Sequence, residues 1–324
     1  MYEAPSPLLL SRVAESSYWA GRYIERAEGT ARLIRSHAEL VIDLPASAFV
    51  GWRPLLAVLG AGTDFDENHE HASEEEVTRH LAASTENSGS IRSSVSAVHQ
   101  NLRITRSVMP IEAAEVLTDL HRHVESTAYQ AVDRRTRSDW LTSVIRQCQT
   151  LTGIMADTMS HDDAFCFFTV GRQLERADLV TRVLDVEAAV LTGRAHDALV
   201  PYQDLCWAAA LRSVSALQAF RRRSSAHTPE ATIAFLLRDP RCPRTVESCL
   251  VEASRWLLEI PRHEDAMAAC ASVGTLLQGV DMDDLMNGGL HEFVDELQLA
   301  ISELHDRIGE TWFQTVPTAV GVES

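Results

Sequence analysis

The sequence predicts an all-α protein, a large helical bundle, from its composition and from one repeated motif. The 324 residues include only 15 glycines and 11 prolines, and alternating runs of β-branched residues are scarce, which is typical of helical proteins. A charged helical motif occurs twice, at residues 21–33 and 171–183, with the frame Gly-Arg-x-apolar-Glu-Arg-Ala-acidic-x-x-x-Arg-apolar. We therefore expect an internal pseudo-repeat of two Glu-Arg motif helices.

Prolines, polar breaks and capping residues divide the first half into helices. Ser73-Glu-Glu-Glu76 has the form of a capping box that opens a helix, and Pro110 ends one helix and starts the next. The predicted segments are a helix Ser6–Ile42 that stops before Pro45, a short helix Phe49–Leu59, a loop over 60–72, a helix from Ser73, helices Ser88–Met109 and from Pro110, and a helix from a polar break at Asp133–Arg137 to about Ser160.

The second half is divided by the same signals. Gly193 fits the residue that follows a helix C-terminus, and Asp239-Pro-Arg-Cys-Pro-Arg244 predicts a rigid turn. The predicted helices are Asp162–Leu191, Pro201 to about Arg223, Pro229–Arg238, a helix from the turn to Ile260, Glu264–Gln278 and Leu290–Phe313. We expect a single domain over residues 1–316, with halves of about 1–160 and 161–316, and a disordered tail over 317–324.

Charge and composition exclude several classes of function. The net charge of −17 argues against nucleic acid as a partner, because binding phosphates needs a basic surface. All 29 basic residues are arginine, so no lysine can serve a nucleotide-binding loop or a Schiff base. No apolar run is long enough to span a membrane. The six cysteines form no Cys-x-x-Cys pair, and we expect reduced thiols in a cytoplasmic protein.

The two motifs place charges and aliphatic residues on one helix face. At about 100° per residue, Arg22, Glu25 and Arg26 share a side, as do Arg172, Glu175 and Arg176 in the second copy. The i, i+3 spacing allows Arg22–Glu25 and Arg172–Glu175 pairs within a helix. Repetition of the same pairs favours a network shared by both helices, in which guanidinium groups could hold a carboxylate or phosphate. A purely structural set of buried pairs and a solvated charged face are the alternatives.

These residues resemble the Alpha-E family of bacterial helical domains. The resemblance starts at Leu10–Glu28, continues through Phe167–Asp178 and Trp207 with Leu211-Arg212, and includes Phe235–Pro240, Pro243-Arg244 and the ending Leu290–Phe313. One stretch departs from the family pattern, with His99-Gln100-Asn101 in place of an Arg-Glu-Asn core. By position, the resemblance adds Arg212 and Arg244 to the signature polar residues.

The resemblance implies partners rather than a defined reaction. Such proteins are typically encoded beside, or fused to, a circularly permuted ATP-grasp ligase, often with a transglutaminase-like protein. The implied system makes or modifies peptides by ATP-dependent amide bond formation. ATP would be used by the ligase, and we expect no cofactor in this chain.

Three hypotheses follow for the chain itself. If the chain is an enzyme subunit, Glu25 or Glu175 would be a general base poised by burial. The substrate's carboxylate or acyl phosphate would then be bound by six arginines, Arg22, Arg26, Arg172, Arg176, Arg212 and Arg244. As a binding or scaffold subunit, the chain would hold the ligase or its peptide without chemistry. If the chain is a structural protein, the motif would only maintain the fold.

Other candidate sites are weaker. Histidine–acid clusters such as His69-Glu-His71 and His161-Asp-Asp163 lack a metal-binding helical spacing, and we expect no metal site. Cys166 lies among phenylalanines, which favours an inert core thiol over a nucleophile.

Overall fold

The structure, a computed structural model, describes residues 11–192, 196–224 and 228–313. Within these ranges the chain forms helices and turns without a β-strand, which confirms the all-α prediction. The α-helices are α1 Ser11–Asp43, α2 Arg53–Val58, α3 Gly62–Asp66, α4 Glu74–Ala82, α5 Ile91–Ile104, α6 Ile111–Thr127, α7 Arg137–Thr158, α8 Asp163–Thr192, α9 His196–Leu199, α10 Gln203–Ser213, α11 Leu217–Arg221, α12 Pro229–Arg238, α13 Val246–Leu257, α14 Glu264–Gly279, α15 Met282–Asp284 and α16 Leu290–Ile308.

Helices α1 and α8 form the centre of the bundle. They are the two longest, with 33 and 30 residues, and they pack against each other. Helices α5, α7 and α10 pack on α1, while α13 and α16 pack on α8. Every residue of α1 from 27 to 34 is buried, so the charged groups of this stretch, Glu28 and Arg32, lie inside the protein. No helix of the described ranges is long and apolar enough to cross a lipid bilayer.

Local sequence signals explain several helix ends. Ser73 caps α4 in the predicted capping box, accepting a hydrogen bond from the Glu76 N–H at 3.2 Å. Thr228 caps α12, whose first residue is Pro229, as expected for a proline at this position. The turn 239–244 is rigid as predicted, because the Asp239 carboxylate accepts hydrogen bonds from the N–H groups of Arg241 and Cys242, both at 2.8 Å.

Two predicted segments differ from the structure. The loop predicted over 60–72 contains the short helix α3. The helix predicted from Pro201 to about Arg223 is instead a 3₁₀ turn followed by α10 and α11. The break lies at Ser215, which adopts a left-handed conformation with φ 63°. The Ala216 N–H donates to the Leu211 carbonyl at 2.8 Å, which is the bonding pattern of a helix C-terminus.

Several boundaries shift by a few residues, and some predictions fall outside the described residues. The helix predicted over Ser88–Met109 is confined to α5, and the one predicted over Phe49–Leu59 to α2. The residues beyond α16, Gly309–Phe313, form a π-helical turn. Gly193, the start of the first helix before Ser11 and the tail 317–324 lie outside the described residues.

The two motif helices touch at their glycines. A Cβ atom added to Gly21 would lie 2.0 Å from the Phe168 carbonyl oxygen, and one added to Gly171 would lie 2.1 Å from the Tyr18 carbonyl oxygen. Each motif glycine therefore packs against the backbone of the aromatic residue that precedes the other glycine by three positions. These contacts are reciprocal, whereas a repeat of the two whole halves stays a prediction.

We expect Gly21→Ala or Gly171→Ala to destabilise the protein by about 3 kcal/mol, because the methyl group would force two helix backbones apart. Urea denaturation followed by circular dichroism measures the change. Gly153→Ala is the matched control, since that glycine lies on α7 with no atom within 4 Å of the added Cβ. The control should gain about 0.5–1 kcal/mol from helix propensity. Equal effects at Gly21 and Gly153 would contradict the close contact.

Candidate functional site

The Glu25 carboxylate, on α1, is surrounded by arginines from α8 and from the turn 239–244. Arg176 donates to both carboxylate oxygens, from Nε at 2.9 Å and from Nη2 at 2.7 Å. Arg244 Nη1 donates at 2.7 Å, and Arg172 Nη2 lies at 3.5 Å. The rigid turn therefore has a specific role: it positions Arg244, and its Pro243 carbonyl accepts a further hydrogen bond from Arg176 at 3.1 Å.

The Glu175 carboxylate, on α8, has the reciprocal arrangement with α1. Arg22 Nε donates to Oε2 at 2.6 Å, and Arg26 donates from Nε to Oε1 at 2.5 Å and from Nη2 to Oε2 at 3.0 Å. The intrahelical pairs that the i, i+3 spacing allows do not form, and each glutamate pairs with arginines of the other motif helix, in the shared arrangement that the repeated motif favours. The reason is the contact at Gly21 and Gly171, which brings the two charged faces within hydrogen-bonding distance.

Glu28 extends the group of charges deeper into the core. Its Oε1 accepts from Arg32 Nε at 2.9 Å and Nη2 at 2.7 Å, and from Arg244 Nη2 at 3.2 Å. Gln149 of α7 donates to the same oxygen at 3.4 Å. Arg244 thus links Glu25 and Glu28. We refer to these ion-paired residues as the Glu-Arg cluster, which consists of Glu25, Glu28, Glu175, Arg22, Arg26, Arg32, Arg172, Arg176 and Arg244.

Positive charge is in excess in the Glu-Arg cluster. Six guanidinium groups are paired with three carboxylates, which leaves a surplus of three positive charges. The whole chain carries a net charge of −17, so the surplus is opposite in sign to the protein around it. A surplus of buried charge is costly unless it is compensated, and an anion bound at the cluster would compensate it.

Arg172 is the least satisfied guanidinium of the cluster. Its Nε is buried and has no hydrogen-bond partner, and its contact with Glu25 is the longest of the ion pairs at this carboxylate. Burial lowers the pKa of Arg172; Glu25 offsets part of this effect, and Arg176 and Arg244 add to it. A buried donor without an acceptor is rare in proteins and calls for an explanation.

The two motif glutamates have little affinity for protons. Burial would raise the pKa of both carboxyl groups, but the neighbouring arginines outweigh burial and hold each pKa below the ordinary value of 4.5. A general base at neutral pH works best with a raised pKa. The hypothesis that burial poises Glu25 or Glu175 as a base is therefore not favoured by this environment, although their catalytic role stays a prediction.

Tyr18 connects the cluster to α16. Its hydroxyl group is hydrogen-bonded to His305 Nδ1 at 2.8 Å and accepts from Arg22 Nη1 at 3.1 Å. The ring of His305 stacks on the ring of Tyr18 with centroids 5.5 Å apart. Burial raises the pKa of the Tyr18 hydroxyl, so the hydroxyl keeps its proton and can donate to the imidazole.

A cleft of about 280 Å³ leads from the surface to the Glu175 side of the cluster. Arg26 and Glu175 line it, together with Arg182, Asp178 and Asp64. Arg26 keeps 26% of its side chain exposed, and its Nη1 has no hydrogen bond to the described residues. Arg182 Nε donates a hydrogen bond to the Asp178 carboxylate at 2.9 Å. The cleft therefore presents two partly free guanidinium groups to solvent.

The structure brings together most of the residues expected from the sequence. Seven of the eight candidates, all except Arg212, belong to the Glu-Arg cluster. Arg212 of α10 lies apart, with Glu39 as its nearest carboxylate at 3.7 Å. Sequence reasoning missed Glu28, Arg32, Gln149, His305 and Arg182 as members or neighbours of the site. Glu28, Arg32 and Arg182 had a signal, because they occupy the acidic position and the second arginine position of the motif.

The histidine–acid clusters lie outside this site, and the cysteines beside it, Cys148 and Cys249, are buried thiols whose pKa is raised by burial. All six cysteines are buried and free, and burial raises the pKa of the Cys166 thiol to about 12, which disfavours a nucleophilic thiolate. Among the residues that the structure describes, no three His, Cys, Asp or Glu side chains are grouped as metal ligands.

We expect acid to unfold the protein through the motif glutamates. Their pKa is lower in the folded state than the ordinary 4.5, so below that pH the unfolded chain binds protons that the folded chain does not, and the free energy of unfolding falls. In Glu25→Gln this fall should be shallower, and the free energy of unfolding at pH 7 lower by about 3–5 kcal/mol. Urea denaturation across the acid range measures both. The control is Glu115→Gln, at an exposed glutamate of α6. If the free energy of unfolding of Glu25→Gln changed with pH as it does in Glu115→Gln, the ion pairs of Glu25 would be contradicted.

Comparison with known proteins places the whole architecture in one family. No curated protein and no solved structure matches the chain. A family model described as a predicted alpha-helical domain with a conserved ER motif, Alpha-E, matches residues 9–313. The sequence contains two Glu-Arg pairs, Glu25-Arg26 and Glu175-Arg176, and both lie in the cluster at the centre of the bundle. The chain belongs to the Alpha-E family.

Proposed function

We propose that this protein is the binding subunit of a system in which an ATP-grasp ligase makes or modifies peptides, and that the Glu-Arg cluster binds a carboxylate group of the peptide. The observation that carries the proposal is the surplus of three positive charges inside a chain of net charge −17. The partnership with a circularly permuted ATP-grasp ligase rests on what is typical of the family. Under this proposal ATP is used by the ligase, in the cytoplasm, and a transglutaminase-like protein is a further partner.

The cleft beside Glu175 is the proposed route for the carboxylate. Arg26 and Arg182 line it, and each has donor nitrogens that Glu175 and Asp178 do not occupy. A guanidinium group can bind a carboxylate through two parallel hydrogen bonds. The proposed role of Glu175 is to hold Arg22 and Arg26 in place, because its own oxygens are already occupied by these arginines.

Arg182 allows binding to be tested without breaking the cluster. Its pair with Asp178 is partly exposed and lies within one helix, so Arg182→Gln should change the free energy of unfolding by less than about 1 kcal/mol. We expect it to weaken the binding of N-acetyl amino acids with a free carboxylate by about tenfold, as measured by isothermal titration calorimetry. Arg122→Gln is the control, since Arg122 has a similar helical pair, with Asp119, on the surface.

The matching N-acetyl amino acid amides complete the binding experiment. The amides have the same side chains without the charge, so they should bind much more weakly than the acids. Equal binding of acids and amides, or absence of binding by both, would overturn the carboxylate site.

Reconstitution with the ligase separates binding from catalysis. The ligase, ATP and candidate peptides are incubated with and without this protein, and the products are read by mass spectrometry. We expect the ligase alone to form the same product more slowly, because the proposed subunit presents the peptide. A product mass that requires this protein, and that disappears in a Glu175→Asp variant that still binds the N-acetyl amino acids, would instead assign chemistry to the cluster.

A further inference from the structure

A second cavity, of about 380 Å³, lies between the C-terminal part of α8 and the segment that precedes α16. Its walls are mostly apolar and include Ala189, Ile233, Leu285, Met286 and Leu290. The cavity is separate from the Glu-Arg cluster, because Asp185 at its edge follows Arg176 by nine residues of α8, or about 13 Å of helix. Cavities of this size and polarity are typical of small-molecule sites.

Trp207 of α10 supplies one polar atom to this apolar cavity. The residue lines the cavity and is 1% exposed, and its indole Nε1 is buried without a hydrogen-bond partner. Buried tryptophans usually find an acceptor for this N–H, because leaving a buried donor unpaired is unfavourable. A bound molecule with an acceptor oxygen would supply the missing partner.

The wall opposite α8 departs from α-helical geometry. The segment Leu285–Gly289 is kinked at Gly288, whose φ of 109° is not helical, and a Cβ added to Gly288 would meet no atom within 4 Å. The glycine is therefore required by the backbone conformation rather than by crowding, and the space beside it stays open. Met286 in this segment is 41% exposed and has a side chain that adapts to different shapes.

Charged groups at the edge of the cavity disfavour an anionic ligand. His291 of α16 is paired with Asp185 of α8 at 2.7 Å and lies 3.7 Å from Asp295. The hydrogen bond that His291 Nδ1 donates to the Asp185 carboxylate raises the pKa of His291, as do the charges of Asp185 and Asp295. Even a fully protonated His291 would leave one negative charge uncompensated. The ligand chemistry therefore differs from the carboxylate proposed for the Glu-Arg cluster.

We infer that this cavity binds a small neutral apolar molecule with a carbonyl oxygen, such as a ketone or an amide, and that Trp207 Nε1 donates a hydrogen bond to this oxygen. The apolar walls account for the body of the ligand, and the unpaired indole N–H accounts for its single acceptor. The inference does not depend on the carboxylate site or on the ligase.

Nuclear magnetic resonance of the indole groups tests this site directly. The protein is labelled with ¹⁵N, the Trp207 signal is assigned with Trp207→Phe, and 4-phenyl-2-butanone is titrated against n-butylbenzene, which lacks the oxygen. We expect both probes to bind, the ketone about tenfold more tightly, with a shift of the Trp207 N–H signal in the ketone titration. An unchanged Trp207 signal at the highest soluble ketone concentration would overturn the inference.

Three variants complete the test. Trp207→Phe should remove the preference for the ketone, while Trp256→Phe should keep it, because the Trp256 Nε1 already donates to Glu252 at 2.7 Å. Ala189→Trp fills the cavity from an exposed position and should abolish the binding of both probes. This variant keeps the site testable if Trp207→Phe fails to fold. Ketone binding that survives Ala189→Trp would place the probe elsewhere and overturn the inference.

Discussion

The direct backbone contact between α1 and α8 at Gly21 and Gly171 is the constraint on which the rest of the site depends. Side chains at these positions would separate the helices, and the pairing of Glu25 with Arg176 and of Glu175 with Arg26 requires the separation and register that the glycines allow. The same contact explains how α1 can contain charged residues beside the core. Arg22, Glu25 and Arg26 find partners on the helix that the glycines bring close, whereas Glu28 pairs with Arg32 of its own helix and with Arg244.

The exclusive use of arginine suits this arrangement. Arg176 donates to both oxygens of Glu25 and to the Pro243 carbonyl, which requires several donors in a fixed plane. The ammonium group of lysine is a compact point charge and cannot reproduce this geometry. Guanidinium groups also remain charged when buried, so the positive surplus of the cluster persists at any physiological pH.

The sequence was sufficient for the all-α fold and for most of the helices, because these follow from local spacing. Local spacing also placed six of the candidate residues on the two motif helices, and the resemblance added Arg244; the structure brings these seven together, while their role stays a prediction. The pairing partners were not predictable in this way. Arg22 can reach Glu25 within its own helix, and only the crossing of the helices directs it to Glu175. Arg212 shares the residue type and the family resemblance but lies beside Glu39, apart from the cluster. His305 and Gln149 join the site from helices that are distant in the sequence. The Trp207 Nε1 is unpaired because no acceptor lies near it in the folded protein, and a sequence does not show which acceptors are near a given donor.

The long-range contacts of α1 also determine how late in synthesis the ion pairs of this helix can form. Glu25 and Arg244 are separated by 219 residues, and Tyr18 and His305 by 287. A ribosome that adds about 5–20 residues per second needs about 10–40 s after making Glu25 to supply Arg244. During that interval the first helix has charged groups whose partners do not yet exist, so the nascent chain must keep this helix hydrated or bound to a chaperone until the turn after α12 emerges.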